Sequence, residues 1–306
     1  MKKKRQPARK AGGRKPPKPL IGKLVIFGVG LIGGSFALAL KRQRAVGHVV
    51  GVGRSRSNLL AAKRLGVIDE MATDPAVAVK NADLVLLAVP LGQTRAVLAH
   101  IAPHLASHTV VTDAGSTKRD VIESARRQLG ATFSRFVPAH PIAGTEKSGA
   151  AAAFAELFEQ RNLILTPEPE TSARAMKLVR AAWKLAGMRI LEMTASQHDR
   201  IFALVSHLPH LLSFTAVANI AGQANAPKLF QHTGGGFRDL TRIAGSSPEM
   251  WRDICLANRD AILSALDGYL SDLEAVRGMV EASDGAALEQ KFAASRNARA
   301  KWLLKK

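Results

Sequence analysis

Two stretches of the 306-residue chain bring a histidine and a serine to positions where a substrate hydroxyl could lose its proton. His140 stands in Pro138-Ala139-His140-Pro141-Ile142-Ala143-Gly144-Thr145-Glu146-Lys147-Ser148-Gly149, and Ser116 in Asp113-Ala114-Gly115-Ser116-Thr117-Lys118; each follows a short apolar run. Imidazole, with an ordinary pKa of ~6.5, is the side chain best suited to take a proton near neutrality. Upstream, Gly28-Val29-Gly30-Leu31-Ile32-Gly33 matches G-x-G-x-x-G between an apolar run and an amphipathic stretch. The first glycine permits a tight turn, the second lets a pyrophosphate approach the backbone, and the third allows close helix–strand packing. A base, a hydroxyl and a dinucleotide turn together suit an alcohol dehydrogenation, in which the base takes the hydroxyl proton as hydride leaves the same carbon. A Ser–His nucleophile pair is the competing chemistry, but no Asp or Glu is obviously placed as its third member.

The free N–H groups that open the helix, over Gly28, Gly30, Leu31, Ile32 and Gly33, would hold the phosphates. An acid at the end of the second strand would favour NAD through the ribose 2′-OH, but the chain has Gly53-Arg54-Ser55-Arg56-Ser57 there. A guanidinium and hydroxyls suit a 2′-phosphate, so Arg54 and Ser55 favour NADP over NAD. Val89 and Pro90 end a later strand and offer an apolar wall for a ring, or are an ordinary buried strand end.

The other histidines carry weaker signals. His100, His104 and His108 sit four apart, but Pro103 interrupts them and no carboxylate is interleaved, so they read as a solvated helix end. His207 and His210, in Ser206-His207-Leu208-Pro209-His210, share a helix face. A zinc pair would need a third ligand, and Asp199 lies over two turns away. No metal is expected; for His207 a substrate contact and a structural role stand level.

The elements that must position these groups follow from the apolar pattern. Strands are predicted over 23–27, 48–52, 84–89, 109–112, 135–138, 162–166 and 189–193. Helices fit between them over 31–42, 58–65 (capped by Ser57), 75–80, 94–101, 118–129, 149–158 and 172–186. Asp74-Pro75 and Leu65-Gly66 are start and stop signals. Such alternation predicts an α/β fold, a largely parallel doubly wound sheet of the Rossmann type over 21–193. From 194 to 306 the pattern is all-helical, with one long helix over 195–223 kinked at Pro209. Its apolar faces need a partner, either the first domain or a second copy.

The net charge is +20, yet nine of the 44 Lys and Arg lie in residues 1–20, leaving +11 for the rest. This basic arm reads as disordered and dispensable. No aromatic interleaves its charges, so no nucleic-acid partner is expected. Residues 24–40 form seventeen uncharged positions behind the arm, at the short limit for a membrane span. Four glycines divide them, so strand–turn–helix is the better parse; no later segment is read as long enough to span, and no membrane partner is expected. A single cysteine, Cys255, fits a reducing, cytoplasmic setting.

Taken together, His140-Pro-Ile-Ala-Gly-Thr-Glu-Lys-Ser-Gly149, Asp113-Ala-Gly-Ser116, Ser206-His-Leu-Pro-His210 and Gly234-Gly-Gly-Phe-Arg-Asp-Leu-Thr-Arg242 resemble the prephenate dehydrogenase family, which includes arogenate and cyclohexadienyl dehydrogenases. The resemblance runs from about Lys23 into the last helices. It implies NAD(P)-dependent oxidative decarboxylation of prephenate to 4-hydroxyphenylpyruvate in tyrosine biosynthesis, with arogenate as a possible second substrate. It implies His140 as acceptor and base for the C4 hydroxyl, with Ser116 orienting it. Arg242 is implied as the clamp on the ring carboxylate, His210 as a side-chain contact, and Thr145 and Glu146 as entrance residues. The helical half is implied to form a homodimer. Activity would then rise through one group near ~6.5, the unperturbed histidine value.

Overall fold

The computed structural model describes residues 18–145 and 147–304. Most of the basic arm and the entrance residue Glu146 lie outside the described residues. Among the described residues the first half carries a parallel sheet built from β1 (Ile21–Phe27), β2 (Val46–Val52), β3 (Glu70–Ala72), β4 (Leu84–Leu87), β5 (Val110–Asp113) and β6 (Phe136–Val137), in the order β3-β2-β1-β4-β5-β6. The chain winds outward from β1 to β3, then returns to β4 beside β1. That reversal opens a crevice at the strand ends, where such sheets bind ligands. Helices cover both faces, so Leu24, Val25 and Ile26 are all fully buried, which explains a continuous rather than alternating apolar run.

The crossovers are α1 (Leu31–Arg42), α2 (Arg56–Arg64), α3 (Pro75–Ala78), α4 (Leu91–Ile101) and α5 (Arg119–Leu129). The cap of α2 is Ser55, whose Oγ accepts from the Asn58 N–H at 3.2 Å, so the helix starts earlier than a Ser57 cap would place it. Strand β3 was not expected; three residues carry too little pattern.

A second, three-stranded sheet corrects the expectation of one continuous parallel layer. β7 (Ala139–Pro141) pairs antiparallel with β8 (Asn162–Leu165), which pairs parallel with β9 (Arg189–Glu192). Helix α6 (Ala173–Leu185) crosses between them, and its Trp183 ring meets Phe36 of α1 at 4.3 Å between centroids. The helix expected over 149–158 is only a short 3₁₀ turn at Ala150–Ala152. The adjacent residues Leu157 and Phe158 are both buried, whereas a helix would turn one about 100° from the other.

The second half is helical: α7 (Ala195–Phe202), α8 (Leu208–Ala221), α9 (Ala226–Gln231), α10 (Gly235–Thr241), α11 (Pro248–Ala257), α12 (Arg259–Glu281) and α13 (Gly285–Leu303). A π turn over Ala203–His207 joins α7 to α8 into one continuous helix. Pro209 has no N–H to give the preceding turn, and the wider turn absorbs the defect. The joined helix Ala195–Ala221 is long and apolar enough to cross a membrane, contrary to the expectation for the later segments. Its His198, Asp199 and His207 are buried and hydrogen-bonded within the protein, as in a core helix. Leu204, Val205, Leu256 and Leu270 are more than half exposed, leaving apolar helix faces open.

Candidate active site

The glycine turn borders a cavity of about 550 Å³ lined by Gly28, Gly30, Arg54, Ser55, Asn58, Val89, Pro90 and Gly149, among others. Gly28 has φ +89°, and a Cβ there would come within 2.3 Å of the Ala88 carbonyl oxygen. At Gly30 a Cβ would meet nothing within 4 Å, and the start of α1 has no side-chain cap, so its N–H groups face open space. That combination fits a phosphate. Gly33 is used for packing, against the Gly28 oxygen and Ile26, and Leu31 and Ile32 pack on the core; these three are absent from the lining. Asn58, which sequence reasoning missed, donates to the Val29 carbonyl at 2.7 Å and accepts from the Ala150 N–H at 2.8 Å. It ties the glycine turn to the segment after His140. His100, expected as a solvated helix end, also lines the cavity.

Arg54 stands at the rim with Glu249 of α11 3.6 Å away. With its amide oxygen turned to the guanidinium, Gln93 accepts from it at 3.0 and 3.2 Å. The Ser55 hydroxyl is engaged as the α2 cap and lies 2.9 Å from Ser57 Oγ.

At the end of β5, Asp113 organises the loop carrying Ser116. It accepts from the Ala139 N–H at 2.9 Å, from the Gly115 N–H at 2.8 Å, and from the Lys118 ammonium. Lys118, fully buried, also donates to the Ala139 carbonyl at 2.9 Å. The residue before His140 is thus held at both its N–H and its C=O.

His140 lies in β7, an edge strand of the second sheet, rather than at the end of a parallel strand. Its Nδ1 is 2.8 Å from His198 Nε2, and His198 Nδ1 is 2.7 Å from Asp199 Oδ1. Asp199 is anchored in turn by the N–H groups of Lys118 (2.8 Å) and Arg119 (2.9 Å) at the start of α5. The Phe202 ring packs on both imidazoles at 4.9 and 4.5 Å. Burial, then the neighbouring His198, Lys118 and His207, push His140 well below 6.5, correcting the unperturbed value expected from sequence. Burial likewise lowers His198, against the pull of Asp199. Burial opposes ionisation of Asp199, but His198 and the two N–H groups hold its carboxyl below the ordinary range.

His207 is buried in a similar way and pushed down to about 4, chiefly by burial. Its Nδ1 meets Asn258 Nδ2 at 3.1 Å, and the Ser116 backbone faces its ring. His210 Nδ1 donates to the Ser206 carbonyl (2.8 Å), and its ring stacks on Trp251 at 3.7 Å. The charge of Arg242, in the turn after α10, adds to burial in lowering His210. His207 acts electrostatically on His140, His210 and the Ser116 backbone act on His207, and Arg242 acts on His210, so these groups lie within charge range of one another in series. Thr145 is exposed, accepting from the Lys147 N–H at 3.2 Å, and among the described residues no hydrogen bond ties it to these groups. The helical half is fastened to the sheet edge by Asp253, whose Oδ2 accepts from the Gly92 N–H at 3.0 Å, where α4 begins beside Pro90.

Sequence reasoning does not single out Lys118, His198, Trp251 or Asn258, and it offers Asp199 only as a metal ligand. The detectable signal was a His-Asp pair on an otherwise apolar helix. Among the described residues no group of three His, Cys, Asp or Glu could hold a metal ion.

Comparison with known proteins places the arrangement. Residues 36–192 match the nucleotide-binding domain of prephenate dehydrogenase and residues 194–294 its dimerization domain. A prephenate dehydrogenase of Bacillus subtilis (strain 168) is 37% identical over 90% of this chain and 75% of its own. A cyclohexadienyl dehydrogenase of Zymomonas mobilis is also 37% identical, over 90% of this chain and 94% of its own. The crystal structure of prephenate dehydrogenase from A. aeolicus, in complex with hydroxyphenyl propionate and NAD+, superposes with a TM-score of 0.85 at 34% identity, covering 92% of this chain and 98% of that one. A glycine turn that borders a cavity at the sheet's switch point, and two domains matched in order over most of the chain, lead to one conclusion: the chain belongs to the prephenate dehydrogenase family.

Proposed function

We propose that the chain is an NAD(P)-dependent prephenate dehydrogenase of tyrosine biosynthesis, converting prephenate to 4-hydroxyphenylpyruvate with release of CO₂, and accepting arogenate as a second substrate. The observation that carries this is His140, half-buried, preceded by a residue held at both its N–H and its C=O by the Asp113–Lys118 pair at the end of β5, and joined through His198 to Asp199. When bound, the dinucleotide supplies the hydride acceptor. Gly28, Gly30, Val89 and Pro90 would hold it, and Arg54 with the Ser55 turn favours NADP over NAD.

His140 takes the proton of the C4 hydroxyl. Its lowered pKa keeps the ring neutral, and so able to accept, throughout the neutral range. Ser116 orients that hydroxyl. Arg242 clamps the ring carboxylate, since a guanidinium pairs a carboxylate in two parallel hydrogen bonds. His210, fixed on Trp251, contacts the side chain, and the family resemblance assigns Thr145 and Glu146 to the entrance. Loss of the carboxylate as CO₂ restores an aromatic ring, so the protein's task is a base, a clamp and a dry, fixed pose. The division of labour we propose is a basic arm over 1–20, a nucleotide-binding unit over 21–193 and a helical unit over 194–306 that pairs as a homodimer through its open apolar faces, in the cytoplasm.

The test is formation of reduced nicotinamide by purified protein with each cofactor and each substrate. Turnover of prephenate with release of CO₂ is expected; no turnover with any of the four pairs would overturn the assignment.

A further inference from the structure

We infer that His198 and Asp199 are positioning residues that fix which nitrogen of His140 carries the proton, leaving its Nε2 bare to accept from the substrate. The inference deepens the proposed role of His140 as base and rests on it.

The order of donors follows from one end. Asp199 is a carboxylate that already accepts two backbone N–H groups, so it can only accept from His198 Nδ1, 2.7 Å away. His198 therefore carries its proton on Nδ1, and in the neutral ring Nε2 has a lone pair. His140 Nδ1 lies 2.8 Å from that lone pair and must be the donor. A neutral His140 with Nδ1 protonated has Nε2 free as an acceptor, the state a base needs. Reversal of any link reverses them all. A protonated His198 would donate from Nε2 to His140 Nδ1, force the His140 proton to Nε2, and disable the base.

The same chain disposes of the proton gained in turnover. The substrate O–H bond breaks as a bond to His140 Nε2 forms, and the Nδ1 proton passes to His198 Nε2. The positive charge then rests on the ring beside the Asp199 carboxylate. The charged and titratable groups facing the pair are Asp199 of α7, Lys118 at the start of α5, Asp113 of β5 and His207 in the π turn. Lys118 and His207 disfavour a cation on the pair, which keeps it neutral at rest; the two carboxylates favour one. Phe202 covers both rings and keeps water from competing for the nitrogens.

The first test needs no cofactor. Long-range ¹H–¹⁵N NMR of full-length protein labelled at histidine should show His140 and His198 both protonated at Nδ1 and bare at Nε2. A His140 resonance pair of the Nε2–H form overturns the inference. The second test is kinetic. Asp199→Asn should lower kcat about 10- to 100-fold with KM little changed, the size of loss expected for a partner one histidine removed from the reacting group. It should also move the acid limb of the kcat–pH profile to lower pH, because the anion that stabilises the protonated pair is gone. A packing role alone would not move that limb, so reduced kcat with an unmoved limb overturns the inference. His140→Asn separates the two levels. If it spares kcat, the base assignment itself fails; if it abolishes kcat while Asp199→Asn is silent, only the positioning role fails.

Discussion

Lys118→Met removes a buried cation that no motif explanation had claimed. Lys118 is fully buried and Asp113 nearly so. Breaking one partner of such a pair costs about 3–5 kcal/mol, because the remaining charge is left uncompensated. Asp113 keeps two backbone donors, from Ala139 and Gly115, so the lower part of that range is expected here. At roughly 2–4 °C per kcal/mol, Tm should fall by about 10 °C. The catalytic consequence is separate. The Ala139 carbonyl loses its donor, so β7 is pinned on one side only, and kcat should fall with His140 less well placed. Lys118 is also among the groups that lower both His140 and His198. Without that cation their pKa values rise. Since a neutral His140 is the working form, the acid limb of the kcat–pH profile should move up toward 6.5, the opposite direction to that expected for Asp199→Asn. Thermal denaturation at fixed protein concentration and a kcat–pH series on the same preparation measure both effects. A loss under about 1 kcal/mol with an unmoved limb would refute the reasoning, since a buried pair of this kind cannot be removed silently.

Further outcomes are expected from the same geometry. Because His207 is held neutral at about 4, against ~6.5 in the unfolded chain, protons favour the unfolded state. Its contribution is intact above pH 6.5 and is lost as pH falls toward 4, by about 3 kcal/mol at 1.36 kcal/mol per unit; a Tm that stays flat over that window contradicts it. His140→Asn should lower kcat by roughly 10²–10⁴ with KM little changed. Arg242→Ala should instead raise KM about ten- to a hundredfold, as a charge-assisted contact present in the ground state is lost, and steady-state kinetics that exchange the two patterns would exchange the roles. Arg54→Asp should shift preference from NADP to NAD. Glu249→Gln should lower KM for NADP and spare NAD, since that acid shares the guanidinium a 2′-phosphate would use; an unchanged NADP/NAD ratio in both variants counts against Arg54 as the discriminator.

The nucleotide half was legible because its signals are local. A glycine that must adopt φ +89° beside the Ala88 carbonyl leaves its mark in one residue, and a strand buried on both faces leaves a continuous apolar run. What failed to show was decided across distance. β7 turns antiparallel because Asp113 and Lys118 seize Ala139 from the neighbouring strand and loop, contacts separated by 26 and 21 residues in sequence. The 149–158 stretch has a helical composition, yet Asn58 takes the Ala150 N–H and Ser35 the Phe154 N–H, and these outside partners outweigh propensity.

The candidate site was legible by half for a related reason. His140, Ser116, His210 and Arg242 stand in compact motifs, whereas His198 and Asp199 sit 58 or more residues from His140 on a helix whose apolar stripe makes them look incidental. Their meaning comes from geometry: one carboxylate, tied by two N–H groups to the start of α5, orients one histidine, which orients another. Buried polar groups are hydrogen-bonded in the great majority of cases. A His-Asp pair on the buried face of an apolar helix therefore demands partners in another element, and the chemistry at stake decides which. Here the partner is His140, the proposed base. The helical half thus contributes more than an apolar surface for pairing, because without its first two turns the imidazole of the nucleotide half would have no fixed tautomer.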